Sequence, residues 1–130
     1  MLPAIALGGV AGAATRSGIV ELLPNGVVPW GVLVANVLGS AVLGWAATRL
    51  LQLPAAPRSR RKLLALSSGF CGSLTTFSAF AVDIADSLRE GATSWGLGYL
   101  VTSAFAGAVA VWAGHRIAAA STPAGPPQTP

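Results

Sequence analysis

Four long apolar segments constrain the fold of this chain more than any other feature. They cover residues 2–23, 28–50, 63–87 and 93–117. Each is long enough to cross the hydrocarbon core of a bilayer, for which about 20 apolar residues suffice. Only 9% of the 130 residues are charged, whereas a soluble domain carries about 25%, so most of the surrounding solvent must be lipid. We therefore predict an all-α membrane protein with one four-helix transmembrane domain over residues 1–120.

The stretch that follows this domain has a different composition. Residues 121–130 read "STPAGPPQTP", which is rich in Pro and Gly and has no apolar face. We expect such a segment to form a disordered tail.

Basic residues gather between the second and third apolar segments, at Arg58, Arg60, Arg61 and Lys62. This position is typical of a loop at the membrane surface, and we expect no nucleic-acid partner despite the net charge of +4. The positive-inside bias places the loop in the cytoplasm. Because the number of spans is even, both termini are expected on the same side.

The residue inventory excludes several kinds of chemistry. One His and one Cys, Cys71, cannot build a transition-metal site, and no Ser-His-Asp set stands out. The "GGVAG" of the first segment is not a dinucleotide fingerprint, because no strand precedes it. We therefore do not expect an enzyme.

The third segment contains the sequence "GFCGSLTTF", which is unusual for a membrane helix. Gly69, Gly72 and Ser73 weaken helix continuity, and the hydroxyls of Thr75 and Thr76 compete for backbone hydrogen bonds. A break within a membrane helix is tolerated only where its freed carbonyls find a partner or face a cavity. Carbonyls of this kind bind a hard cation such as Na⁺ well. The sequence thus favours a third helix that is broken in mid-membrane.

Asn36 and Arg16 are polar side chains within apolar segments. A buried amide in lipid needs partners, so Asn36 either forms an interhelical hydrogen bond or supplies a donor to a pore, and the two roles are compatible. Arg16 lies about two turns before the end of the first segment. It either reaches the interface as an anchor or creates an electropositive vestibule for anions.

Aromatic and hydroxyl side chains repeat at helical spacing near the break and in the fourth segment. Phe77 and Phe80 are three residues apart on one face, and their electropositive ring edges suit an anion, although packing alone also explains them. Tyr99 and Ser103 are four residues apart, which indicates either packing or a row of hydroxyls. The small-residue pairs Gly8–Gly12 and Ser40–Gly44 indicate close helix packing.

Three of these stretches together resemble the Fluc or CrcB family of bacterial fluoride channels. They are "GGVAGAATR" at 8–16, "WGVLVANVLGSAVLG" at 30–44 and "GFCGSLTTFSAF" at 69–80. The resemblance implies a dual-topology assembly in which two four-helix subunits pack antiparallel, with two F⁻ pores along their interface. It also implies a structural Na⁺ at the dimer centre.

The resemblance assigns roles to individual residues of this chain. Main-chain carbonyls of Gly72 and Thr75 would hold Na⁺. The pore would be lined by the amide, the aromatic pair and the hydroxyl row, with an arginine at the vestibule: Asn36, Phe77, Phe80, Tyr99, Ser103 and Arg16. The chain departs from the family pattern at Val32, Ser73 and Gly107, and two of these changes, at Val32 and Gly107, remove hydroxyls from the expected pore.

The resemblance predicts a passive, fluoride-specific channel in the bacterial plasma membrane that lowers cytoplasmic fluoride and gives fluoride resistance. One alternative is a non-conducting partner subunit. Another is a small proton-coupled drug exporter, for which Glu21 is the only embedded carboxylate in the first segment. The native dimer contains either two copies of this chain or this chain and an oppositely oriented homologue.

Overall fold

The computed structural model describes residues 2–23, 26, 28–52 and 57–121. The predicted tail at 121–130 lies outside the described residues, apart from its first residue. The long elements of the described part are helices: α1 Leu2–Leu22, α2 Trp30–Gln52, α3 Pro57–Leu64, a π-helix Ala65–Cys71, α4 Gly72–Leu74, α5 Phe77–Arg89 and α6 Thr93–Ala120.

Three helical segments are long and apolar enough to cross a bilayer, namely Trp30–Gln52, Arg58–Arg89 and Thr93–Ala120. They coincide with the second, third and fourth predicted spans, so the prediction of an all-α membrane protein is confirmed at this level. The first predicted span is also helical, as α1, but it is not among the three. Its aliphatic residues are diluted by glycines and by Arg16 and Glu21.

Glycines bring α1 into direct backbone contact with the π-helix. A side chain at Gly8 would collide with the carbonyl of Ala65, and a side chain at Gly12 would collide with the carbonyl of Phe70. Small residues permit this close approach between membrane helices. The packing interpretation of the Gly8–Gly12 pair is therefore confirmed, and α1 is held against the third segment despite its lower apolarity.

Helices α2 and α6 run parallel and pack just as closely. Gly44 leaves room for the backbone of Val111. Four residues further along both helices, the Oγ1 atom of Thr48 lies 2.9 Å from Nδ1 of His115. This pairing fixes the register of the two helices, and it places Asn36 of α2 beside the middle of α6.

The helical hydrogen-bonding pattern of the third segment is interrupted at two residues. Thr75 (φ −78°, ψ 148°) and Thr76 (φ −142°, ψ 116°) are extended, and α5 begins directly after them. Gly72, in contrast, keeps helical angles of φ −63° and ψ −27°, and Gly69 lies within the π-helix. The threonines therefore mark the interruption, and the two glycines that were expected to weaken the helix remain helical.

The two ends of the helix bundle carry opposite charge. At one end, Gly26 and Pro29 share a cavity of about 300 Å³ with Asp83, Asp86 and Glu90. The remaining acidic residue, Glu21, is in the last turn of α1, which ends at the same side. We call this the acidic end.

At the other end, where α2 and α6 finish, two guanidinium groups lie over indole rings. Arg49 is 5.8 Å from the ring centre of Trp45, and Arg116 is 5.6 Å from that of Trp112. We call this the basic end, because it holds six of the eight cationic side chains, namely Arg49, Arg58, Arg60, Arg61, Lys62 and Arg116. Trp and Arg are residues that anchor a helix at the membrane interface.

Candidate functional site

Asn36 binds both backbone groups of Thr76. The amide nitrogen of Asn36 donates to the Thr76 carbonyl at 3.2 Å, and the backbone N–H of Thr76 donates to the Asn36 side-chain oxygen at 2.7 Å. The Asn36 side chain thereby supplies the two hydrogen bonds that neighbouring helical turns would otherwise make to the backbone of Thr76. We call this pair of hydrogen bonds the amide clamp. It satisfies an interrupted backbone inside an apolar bundle, which membrane proteins require.

The amide clamp also releases a carbonyl upstream of it. In an unbroken α-helix, the N–H of Thr76 would donate to the carbonyl of Gly72. Because that N–H is bound to Asn36 instead, the Gly72 carbonyl loses its usual helical donor. The same happens at Thr75, whose helical donor would be the N–H of Ala79, since this N–H donates to the hydroxyl of Thr76 at 3.2 Å. The two carbonyls named from the sequence therefore share one feature, the loss of the amide that would normally bind them.

A cavity of about 420 Å³ opens beside the amide clamp. It is lined by residues from the interruption, α2, α5 and α6, namely Asn36, Ser40, Leu43, Thr75, Thr76, Phe77, Phe80, Ser103, Ala104 and Gly107. Five of the predicted pore and cation residues meet there, namely Asn36, Thr75, Phe77, Phe80 and Ser103. No carboxylate is among these lining residues, so the cavity contains no negative side chain that would repel an anion.

Four aromatic rings form a continuous row from this cavity into the bundle. The ring centres of Phe77 and Phe80 are 6.0 Å apart, those of Phe80 and Tyr99 are 5.5 Å apart, and those of Tyr99 and Trp95 are 5.4 Å apart. Phe77 begins the row with 80% of its surface exposed. The ring of Phe80 thus lies between the exposed ring of Phe77 and the buried ring of Tyr99.

Two hydroxyl groups lie next to each other in the buried part of α6. The hydroxyls of Tyr99 and Ser103 interact with each other, but at longer range than an ordinary hydrogen bond, and neither has another partner among the described residues. A buried hydroxyl without a partner is costly, and such groups are often retained for a ligand. Both have donor capacity that a small ion could use.

Arg16 lies in a separate cavity, of about 450 Å³. The same cavity is lined by Thr76, Ser78 and Asp83, and also by the apolar side chain of Val32. Thr76 borders both cavities, so the interruption separates them. The structure therefore does not bring Arg16 together with Phe77 and Phe80.

Some residues of the site were not assigned to it from the sequence. Ser40 was noted only for packing, and Trp95 and Ser78 were not singled out. The functional partner of Asn36 is the backbone of Thr76, 40 residues away in the chain. A backbone acceptor carries no signature in the residue types, so the polar character of Asn36 was the only available signal.

Comparison with known proteins is consistent with this geometry. The family model described as "CrcB-like protein, Camphor Resistance (CrcB)" matches residues 3–115. A protein of Cutibacterium acnes named fluoride-specific ion channel FluC 1 is 36% identical over 82% of this chain and 76% of its own length. A fluoride-specific ion channel FluC of Pseudomonas aeruginosa is 40% identical over 76% of this chain and 78% of its own length.

A third relative covers more of both sequences. The fluoride-specific ion channel FluC 2 of Geobacillus kaustophilus is 33% identical over 118 residues, which are 88% of this chain and 90% of that protein. The region matched by the family model, residues 3–115, contains all the helices described above except the first residue of α1 and the end of α6. This chain is therefore a membrane protein of the CrcB family.

Proposed function

We propose that this chain is a fluoride-specific ion channel through which F⁻ leaves the cytoplasm down its gradient, which would confer fluoride resistance. The observation that carries the proposal is the cavity beside the amide clamp, where hydrogen-bond donors and two phenylalanine rings converge without a carboxylate. The names of the relatives support the same ion. The plasma membrane is the expected location.

The chemistry of the cavity suits a small, strongly hydrated anion. A pore must replace the water around the ion and still bind it weakly enough to release it. Asn36 uses one of its two amide hydrogens in the clamp and has a second to offer. The hydroxyl of Ser103, which lines the cavity, adds another donor, and the ring edges of Phe77 and Phe80 supply weaker positive potential.

We further propose that Na⁺ binds where the carbonyls of Gly72 and Thr75 have lost their helical donors. Carbonyl oxygens of an unwound helix are suitable ligands for this cation. Gly72 is exposed, and apart from its chain neighbours and its own helix backbone, no described atom lies within 4 Å of the position that its Cβ would occupy. That open space leaves room for a second subunit to approach and share the ion. Na⁺ would supply a fixed positive charge that joins the two subunits.

The assembly that fits these features is an antiparallel dimer. Large apolar side chains remain exposed on this single chain, including Phe77, Val101, Phe105 and Trp112, at 80%, 65%, 70% and 60% of their surface. Part of this surface would face lipid and part would face the partner. The site at the interruption lies at the same exposed surface as Phe77.

The opposite charges of the two ends bear on the identity of the partner. Six cationic residues lie at the basic end, whereas Arg89 lies at the acidic end and Arg16 close to it. Such an imbalance favours one orientation, with the basic end in the cytoplasm. We therefore propose that the native partner is an oppositely oriented homologue, and that the antiparallel dimer is a heterodimer. The competing assembly is a homodimer of this chain that tolerates the imbalance.

Fluoride efflux from liposomes tests the channel function. Purified chain is reconstituted into liposomes loaded with potassium fluoride, and external F⁻ is followed with an electrode after a K⁺ ionophore is added. We expect efflux that does not depend on a proton gradient. A requirement for the gradient would indicate the exporter. No efflux from the pure chain, with efflux restored by an oppositely oriented homologue, would indicate a partner subunit.

Cysteine accessibility in intact cells tests the orientation. A single cysteine replaces Ser59 in the segment between α2 and the π-helix, on a Cys71→Ser background, and an impermeant thiol reagent is applied from outside. The heterodimer proposal requires nearly all molecules to be protected. Labelling of about half of them would indicate insertion in both orientations and contradict it.

A further inference from the structure

Ser40 of α2 lies opposite the point where the hydroxyl row on α6 is interrupted. Tyr99 and Ser103 are four residues apart on α6, and Gly107 follows on the same face without a side chain. The Oγ atom of Ser40 is 3.7 Å from the position that a Cβ of residue 107 would occupy. No other described atom from outside that helix lies within 4 Å of this position. A hydroxyl is thus present beside the position where the row on α6 ends, but it comes from another helix.

The hydroxyl of Ser40 is free to bind a ligand. Several helical hydroxyls in this chain donate to the carbonyl four residues earlier, including those of Thr15, Thr48 and Ser87. Ser40 makes no such bond, nor any other side-chain hydrogen bond to the described residues. It is one turn beyond Asn36 on the same face of α2, and it lines the same cavity as Asn36 and Ser103.

The packing role suggested for the Ser40–Gly44 pair therefore belongs to Gly44 alone. A side chain at Gly44 would collide with the carbonyl of Val111, so this position is in tight backbone contact. At Ser40, in contrast, the neighbouring position on α6 is a glycine with room to spare. The two small residues differ in function although they are only one turn apart.

We propose that Ser40 supplies the pore hydroxyl that Gly107 lacks, so that the row of donors passes from Ser103 on α6 to Ser40 on α2. The inference rests on the proposed channel function and adds an anion-coordinating residue to it. The Ser40 O–H donates to F⁻ and replaces one of its water molecules, in the same way as the hydroxyl of Ser103. The ion is thereby held between α2 and α6 after it passes Asn36.

Moving the hydroxyl back to α6 tests this assignment. We compare fluoride efflux for wild type, Ser40→Ala, and the double variant Ser40→Ala with Gly107→Ser, using liposomes with equal amounts of dimer. Ser40→Ala should reduce efflux about ten-fold, the ratio expected from one lost hydrogen bond to an anion. The double variant should recover to within about three-fold of wild type, because Gly107 has space for a side chain. Ser94→Ala, which removes an exposed hydroxyl at the start of α6, is the matched control and should be as active as wild type.

The outcomes separate this inference from the proposed function. Unchanged efflux in Ser40→Ala, or a loss that Gly107→Ser does not restore, would overturn the role of Ser40 and leave the channel function standing. Absence of F⁻ efflux from the wild-type chain, both alone and together with an oppositely oriented homologue, would overturn both. Loss in the single variant with recovery in the double variant supports a transferable hydroxyl, since a purely structural role of Ser40 would not be replaced from α6.

Discussion

Replacing Asn36 should chiefly destabilise the extended backbone at Thr75 and Thr76. Asn36→Ala removes the two hydrogen bonds of the amide clamp, of 3.2 Å and 2.7 Å. It leaves an N–H and a carbonyl of Thr76 unpaired in a partly buried position. An unsatisfied buried group costs about 1–3 kcal/mol in soluble proteins, and interhelical hydrogen bonds in membranes average about 0.6 kcal/mol. We therefore expect Asn36→Ala to lower the free energy of unfolding by about 1–3 kcal/mol for the pair.

Asn36→Asp separates the amide clamp from general packing, because the side chain keeps its size. An ionised aspartate still accepts from the Thr76 N–H, but its second oxygen faces the Thr76 carbonyl, and two acceptors repel. Asn36→Asp should therefore lower both fluoride efflux and the free energy of unfolding, although the side-chain volume is unchanged.

The assay is fluoride efflux, with protein-free liposomes as the blank, together with thermal unfolding in detergent. Leu38→Ala is the control, since it shortens a half-exposed side chain on the same helix. An Asn36→Ala protein that unfolds and conducts like wild type would refute the role of the amide clamp. An Asn36→Asp protein with wild-type efflux and stability would show that the hydrogen bond to the Thr76 carbonyl does not matter.

Three further predictions concern the aromatic pair, the cation and the packing. Phe77→Ile and Phe80→Ile should each reduce efflux at least ten-fold without preventing dimer formation, because they remove ring edges from the cavity. Wild-type efflux in both variants would show that the two rings serve only in packing. Replacement of Na⁺ by a bulky organic cation should stop efflux, and efflux in the complete absence of Na⁺ would contradict the cation site. Thr75→Ser should retain the response to Na⁺, because the main-chain carbonyl and not the side chain is the proposed ligand. Gly114→Val should destabilise the α2–α6 pair by about 1–3 kcal/mol, since the new side chain meets the backbone of α2. Gly98→Val is the control, because Gly98 has open space around it, and it should leave the stability unchanged. Thermal unfolding measures both variants, and equal stability of the two would contradict the packing argument.

Much of the helical architecture could be predicted from the sequence, because length and apolarity alone determine which segments can cross a bilayer. The first segment illustrates the limit of this rule. Its helix forms, but its stability depends on glycine-mediated contact with the π-helix, and apolarity does not report such contacts. The π-helix itself has no composition that distinguishes Ala65–Cys71 from an ordinary helix.

The candidate site was only partly predictable for a related reason. Residue types pointed to Asn36 and to the threonines of the third segment. The amide clamp, however, uses the backbone N–H and carbonyl of Thr76, which every residue other than proline possesses, so the sequence could not indicate them. Glycine was expected to weaken the helix, yet Gly72 is helical. The helical hydrogen-bonding pattern ends instead at Thr76, because its N–H is bound to the distant side chain of Asn36. Ser40 was missed because its role depends on an absent side chain across the interface with α6.

The register between α2 and α6 also has a consequence for biosynthesis. Thr48 and His115 are separated by 67 residues in the chain, so α2 leaves the ribosome and enters the bilayer well before its main packing partner has been made. During that interval the third segment can already bind Asn36, but the glycine at position 44 faces lipid. The wall of the cavity that contains Ser103 is added by the last helix. A nascent chain that stops before α6 would therefore have the interruption formed but would lack one wall of the cavity, which only the last helix supplies.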